Sequence, residues 1–170
     1  QSTVHSSQST VYIGSLFEKD SDGKARIHIF AGSNRVCTAV KDASGVITDI
    51  NYFHSDHLGS SNVITDLNGA LIQRCEYTPY GSLTTDYRLS TTDYLFTGKE
   101  LDSTGLYFYG ARYYDPEIGR FITADTIVQA PYNPQTLNRY SYCANNPINY
   151  IDPTGHWFWM VVAIIAQVAA

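Results

Sequence analysis

Short extended-looking runs, broken by polar tetrads that end in glycine, dominate this chain, and helical periodicity is nearly absent. Four tetrads share a first-position Asp and a last-position Gly: Asp20-Ser21-Asp22-Gly23, Asp42-Ala43-Ser44-Gly45, Asp66-Leu67-Asn68-Gly69 and Asp102-Ser103-Thr104-Gly105. An Asp that bonds the backbone ahead of it, with a Gly that supplies positive φ, makes each a tight turn. Extended runs follow them at Lys24–Phe30, Val46–Phe53, Ala70–Tyr77 and Leu106–Tyr114. The first three tetrads are 22 and 24 residues apart, a hairpin-sized period that predicts a strip of hairpins. In Arg26–Phe30 polar and apolar residues alternate, which predicts a strand with one wet face. Leu106–Tyr114, LYFYGARYY, predicts one aromatic strand. Asp115-Pro116-Glu117-Ile118-Gly119 predicts a turn, and Arg120-Phe121-Ile122 an extended run reaching Asp125. Short helical turns are expected only at Asn138–Cys143 and around Leu58–Ser61.

A strip of hairpins is open-ended, and an unpaired edge invites association, so a terminal unit must cap it. The aromatic segment from Tyr94 onward, with irregular Pro, Asn and Gly turns, suits that role. Composition strengthens the all-β reading. Hydrophobic residues make up 44% and charged residues 16%, so the chain is globular, and 14 Tyr with seven Phe suit half-buried pleats. At 170 residues it fits one ordinary domain. A net charge of −5 without a basic cluster excludes a nucleic-acid surface. Cys37, Cys75 and Cys143 form no CxxC pair and read as buried apolar residues.

The first residues, QSTVHSSQSTVYIG, carry no basic region or apolar run and are not a signal peptide; they read as the interior of a longer chain. Trp157–Ala170, WFWMVVAIIAQVAA, is apolar but too short for a bilayer, which needs about 20 residues. It reads either as the start of a released, membrane-active or linker segment, or as apolar chain sheltered inside a shell, with the first preferred. His54, Asp56 and His57 lack a clear third metal ligand, and Ser60 and Ser61 lack a nucleophile-elbow pattern, so neither a metal site nor a hydrolase triad is expected there. No cofactor is expected.

Gly105–Asp125 concentrates Arg112, Asp115 and Asp125, and Asp152 follows in Tyr150–His156. Two carboxylates and an Arg at strand ends can make an acid–base site, while Asp before Pro, at Asp115 and Asp152, can equally be a turn opener. Four stretches, Tyr52–Ser61, Val63–Leu83, Tyr94–Asp125 and Leu137–His156, about two thirds of the chain, resemble the core domain that closes bacterial Rhs repeat proteins. Those are relatives of the YD-repeat proteins and of the C subunits of insecticidal toxin complexes. The resemblance implies hairpin repeats over residues 1–51, the core domain over 52–156 and a variable segment over 157–170. It implies the last turns of a spiralling β shell, closed by an irregular β-rich plug.

In that family the core domain is an aspartic-type self-cleaving peptidase, so the resemblance implies catalytic roles for Asp125, Asp152 and Arg112 and a cut between His156 and Trp157. Paired carboxylates share a proton; the ionised one activates water and the protonated one polarises the carbonyl. Arg112 holds a carboxylate or stabilises the oxyanion. Delivery within one chain removes the cost of association, so no large groove is expected. Departures from the family pattern are Thr126 where Pro is usual, a longer 126–136 connection made rigid by Pro131 and Pro134, and His156 where Leu is frequent. The longer loop puts the approach of Asp125 to Asp152 in question. Implied partners are upstream repeats of the same chain, its own C-terminal effector segment, and an immunity protein or toxin-complex subunit, in a secreted or cell-surface setting. The rival reading is a non-catalytic structural or adhesive shell module whose aspartates only cap turns.

Overall fold

The computed structural model describes residues 9–88, 92–128, 132–156 and 159–160. These fall into two compact units, one within residues 9–54 and 64–72, the other within 55–63 and 73–160.

The first unit is an antiparallel meander of β1 (Thr10–Ile13), β2 (Phe17–Asp20), β3 (Ala25–Ala31), β4 (Asn34–Lys41) and β5 (Ile47–Ser55), each strand paired with the one before it. Its turns follow from sequence. Gly23 and Gly45 donate back to the carbonyls of Asp20 and Asp42 at 2.9 and 3.0 Å, both glycines at positive φ. The expected alternation in β3 is only partly present, with Arg26, Ile27 and Phe30 all half-buried, and it is inverted at His28 and Ile29. His28 is buried, while Ile29 is half exposed. The cause is a polar interior: His28 bridges Thr38 Oγ1 at 2.9 Å and Glu18 Oε1 at 2.8 Å. Beside it Arg26 forks onto Asp20 at 3.1 and 3.0 Å, and Thr10 donates to the same carboxylate at 2.8 Å. Buried polar groups persist when each finds a partner, and these do.

The hairpin β6 (Ser61–Thr65) and β7 (Leu71–Tyr77) carries the third Asp-Gly turn, with Gly69 bonded to Asp66 O at 3.1 Å. In the second unit β8 (Leu83–Arg88) pairs with β7 across the turn Thr78–Gly81. A four-stranded sheet follows, in the order β12 (Arg120–Phe121), β11 (Tyr113–Asp115), β10 (Tyr107–Phe108), β9 (Glu100–Leu101). Leu106–Tyr114 is therefore not one strand. Gly110 adopts φ +87°, Tyr109 N–H closes onto Arg112 O at 3.0 Å, and the chain reverses there. The run from Arg120 is also shorter than expected: β12 ends at Phe121, Ile122 N–H still donates to Tyr113 O at 3.0 Å, and the chain then bends. Asp115–Gly119 is the expected turn, with Asp115 Oδ1 accepting Glu117 N–H at 2.9 Å.

Helix is placed differently as well. Leu58–Ser61 forms a turn that runs into β6, because Asp56 Oδ1 accepts the N–H groups of Leu58 and Ser60, both at 2.9 Å. The helical turns among the described residues are a 3-10 turn at Phe96–Gly98, α1 (Pro134–Leu137) and a 3-10 turn at Cys143–Asn145; α1 ends before Asn138–Cys143 and the last turn starts at its final residue, so that stretch is not itself helical. Asn133 caps α1 through Gln135 N–H at 3.0 Å, with Pro134 at its first position. β13 (Tyr150–Ile151) pairs antiparallel with β14 (Trp159–Met160).

The core of this unit is aromatic. Tyr107, Tyr109, Tyr114, Phe121 and Tyr142 are fully or almost fully buried, with edge-on and tilted rings 4.6–5.9 Å apart among the last four. Each tyrosine hydroxyl has a partner: Tyr107 donates to Gly81 O at 3.2 Å, Tyr114 to Tyr80 O at 2.8 Å, and Tyr109 meets Tyr142 at 3.1 Å. A tyrosine buried in this way gains its apolar area without stranding its hydroxyl. Cys37, Cys75 and Cys143 are buried thiols. No helix among the described residues is long and apolar enough to cross a membrane.

Candidate active site

The reversal at Gly110 sets Arg112 at the edge of the aromatic core, its guanidinium 3.6 Å from the centre of the Phe121 ring. Its side chain is 5% exposed, so each of its nitrogens needs an acceptor. Nε donates to Gly155 O and Nη1 to Arg139 O at 3.0 Å. Nη2 lies 2.9 Å from Asp125 Oδ2 and 3.6 Å from Asp152 Oδ2. One buried guanidinium nitrogen thus faces both carboxylates that sequence pointed to.

Asp125 follows β12 and is pinned through its backbone. Its N–H donates to Arg139 O at 2.9 Å, and its carbonyl accepts Arg139 Nε at 2.6 Å. Asp125 Oδ1 accepts Ile127 N–H at 3.0 Å and lies 2.9 Å from His156 Nδ1. The 126–136 connection, with Thr126 in place of Pro, therefore leaves Asp125 beside Arg112 and Asp152; Pro131 falls outside the described residues.

Asp152 opens a tight turn. Its Oδ1 accepts the N–H groups of Thr154, Gly155 and His156 at 3.1, 2.7 and 3.2 Å. Gly155 sits at φ +80°, and a Cβ there would lie 3.0 Å from Tyr109 O and 3.2 Å from Arg112 N, so only glycine lets the turn lie against the reversal at Gly110. Burial raises the Asp152 carboxyl above its ordinary range, against the pull of the Thr154 and Gly155 N–H groups, Arg112 and the His156 N–H. With Oδ1 committed to three donors, Oδ2 is the oxygen left to carry a proton. Burial lowers Arg112, opposed by Asp125 and Asp152.

Two residues that sequence reasoning passed over belong here. Lys99 donates Nζ to Pro153 O at 2.6 Å and stands 5.2 Å over the Tyr109 ring; burial lowers it, opposed by Asp152. Arg139 fixes Asp125 as described. Both act on main-chain carbonyls distant in sequence, and such contacts leave no residue pattern to find. A recess of about 20 Å³, room for a water molecule, is lined by Asp125, Ile127, Thr136, Asn138, Arg139, Ser141 and Ala144. Trp157 and residues 161–170 lie outside the described residues. Elsewhere, His54 Nε2 meets Thr65 Oγ1 at 3.1 Å, His57 Nε2 meets Ile148 O at 3.1 Å, and Asp56 caps its turn.

Residues 24–148 match the family model of the teneurin YD-shell. The chain is 38% identical to toxin subunit YenC1 of Yersinia entomophaga over 63% of its length and 11% of that protein. It is 28% identical to the tRNA3(Ser)-specific nuclease WapA of Bacillus spizizenii over 86% of its length and 6% of that protein. A crystal structure of TcdB2–TccC3–TEV superposes with a TM-score of 0.75 at 28% identity, covering 87% of this chain and 8% of that one. The chain thus spans a small part of the proteins it matches. With strands dominating its secondary structure and the family match extending over most of its length, the chain belongs to the teneurin YD-shell family, as an Rhs/YD-type β-shell module.

Proposed function

We propose that this module is an intramolecular aspartic peptidase that cuts its own chain between His156 and Trp157 and frees the segment that follows. The observation that carries the reading is the single buried Arg112 nitrogen facing Asp125 and Asp152, with the turn from Asp152 leading directly to the bond. In the proposed step, a water bound at Asp125 gives a proton to that carboxylate as its oxygen adds to the His156 carbonyl carbon. Asp152, with its raised affinity for a proton, donates from Oδ2 towards the carbonyl oxygen. Collapse breaks the C–N bond: the proton on Asp125 passes to the departing nitrogen, one gem-diol hydroxyl returns its proton to Asp152 as the carbonyl reforms, and one water is consumed. The products are a His156 carboxylate and a Trp157 amine.

The chain is already held for such a step. The successive carbonyls of Pro153, Thr154 and Gly155 accept from Lys99 Nζ, Ala111 N–H and Arg112 Nε. Beyond the bond, Trp159–Met160 pairs with Tyr150–Ile151. Restraint on both sides supplies orientation in place of a cleft. In the whole protein, the module would close a shell built by upstream repeats, with the freed segment as an effector. An immunity protein or toxin-complex subunit would be its partner, in a secreted or cell-surface setting.

A passive shell or adhesion module is the second reading, and the three N–H bonds to Asp152 Oδ1 favour it, since a turn opener needs no more. The test is denaturing mass measurement on the long chain with its upstream repeats and a C-terminal tag. Self-cleavage predicts loss of everything from Trp157 in the wild type, with Asp125→Asn and Asp152→Asn staying whole. A folded wild type that stays whole establishes the passive module.

A further inference from the structure

The residue that donates the carbonyl touches both candidate carboxylates at once. Its main-chain N–H lies 3.2 Å from Asp152 Oδ1, and its ring Nδ1 lies 2.9 Å from Asp125 Oδ1. We propose that His156 is a positioning residue for the cut at its own carbonyl. The ring tethers the peptide to Asp125, the N–H tethers it to Asp152, and together they fix the carbonyl against both acids. This inference rests on the self-cleavage reading and adds to it a dependence on the side chain at position 156.

The geometry gives the ring a distinct task. The contacts that grip Pro153, Thr154 and Gly155 all end one residue short of the bond, and of their three donors Arg112 alone also meets Asp125, at Oδ2 rather than Oδ1. The His156 side chain is 31% exposed against 5% for Asp125, so the ring lies outermost, over a buried carboxylate. Nδ1 must be the donor, because a carboxylate ion only accepts. The charged groups around this contact are Asp125, Arg112, Asp152 and, through the Asp125 carbonyl, Arg139. A leucine at this position has no donor and would leave Asp125 Oδ1 with the Ile127 N–H.

The test follows the time course of self-cleavage by denaturing mass measurement on the tagged long chain. His156→Leu should slow the cut about 10–100-fold, the scale expected for a misplaced reacting group. His156→Asn, whose side-chain amide nitrogen can occupy the place of Nδ1, should recover most of that rate, and should stay whole when combined with Asp125→Asn. A merely space-filling role predicts the opposite order, since Leu fills the position better than Asn. Leu cutting at the wild-type rate, or Asn as slow as Leu, overturns the inference. If Asp125→Asn and Asp152→Asn are arrested while Leu is unaffected, this inference alone falls. If those two also cut, the self-cleavage reading falls with it.

Discussion

The two units solve the same problem, covering one side of small antiparallel sheets, with opposite chemistry. In the first, the sheltered residues include Glu18, Asp20, His28 and Thr38, linked to Arg26 and Thr10. In the second, they are tyrosines and phenylalanines in edge-on contact, with hydroxyls tied to backbone or to each other. The first arrangement is held by directional bonds between neighbouring strands, so it can be repeated strand after strand. The second is a local hydrophobic core, and only there does the protein bury Arg112, Asp125 and Asp152 together. In the second unit an apolar wall backs the three ionisable groups, whereas in the meander Glu18, Asp20 and His28 are buried against hydrogen-bonding partners on neighbouring strands.

The largest break in that comparison is Tyr142→Ala. It removes a fully buried ring that touches Tyr109, Tyr114 and Phe121, and should cost about 3–5 kcal/mol in chemical denaturation of the module. In the first unit Glu18→Ala takes the carboxylate from buried His28 and should cost about 1–3 kcal/mol by the same measurement.

The pH dependence sharpens the contrast further. For Asp20, burial raises the carboxyl but the Arg26 and Thr10 bonds outweigh it, so the folded value lies below the unfolded one. Its contribution is present above the unfolded carboxylate value, near pH 4, and is lost as pH falls through the lowered folded value. For Asp152 the folded value is raised. Its contribution is full below about pH 4 and is lost as pH rises through the folded value. Melting curves across that acid range should therefore flatten on the low-pH side in Asp20→Asn and on the high-pH side in Asp152→Asn. The smallest effect is expected at Arg74→Ala: the Arg74–Glu76 pair is 2.6 Å apart but about half exposed on both sides, so stability should move by no more than about 0.5 kcal/mol.

Much of this was legible in the chain because it is local. The Asp-Gly tetrads at Asp42, Asp66 and Asp102 fold as read, since an Asp side chain and a glycine three residues later suffice; in the first tetrad the Asp20 carboxylate goes to Arg26 and Thr10, and Asp22 accepts the Lys24 N–H instead. Two features misled. LYFYGARYY has strand composition, but Gly110 lets it double back, and the site depends on that reversal. RIHIF is a strand, but its polar His28 is the buried member, because periodicity gives faces without saying which residue finds partners. The gathering of Arg112, Asp125 and Asp152 followed the family resemblance; spacing alone would not bring them together. Lys99, Arg139 and the ring of His156 stayed hidden because their contacts are defined only in three dimensions.

The order of strand pairing sets a schedule. In the first unit every strand pairs with its immediate predecessor, so each can form as soon as it leaves the ribosome, with little chain to close. The site is the reverse. Its bonds join residues 31 and 43 positions apart, and His156 is the last of its members to be made. Arg112 and Asp125 are synthesised first and wait for Asp152. Whatever chemistry the site performs is thus withheld until the rest of the module has been made, a check on assembly written into connectivity alone.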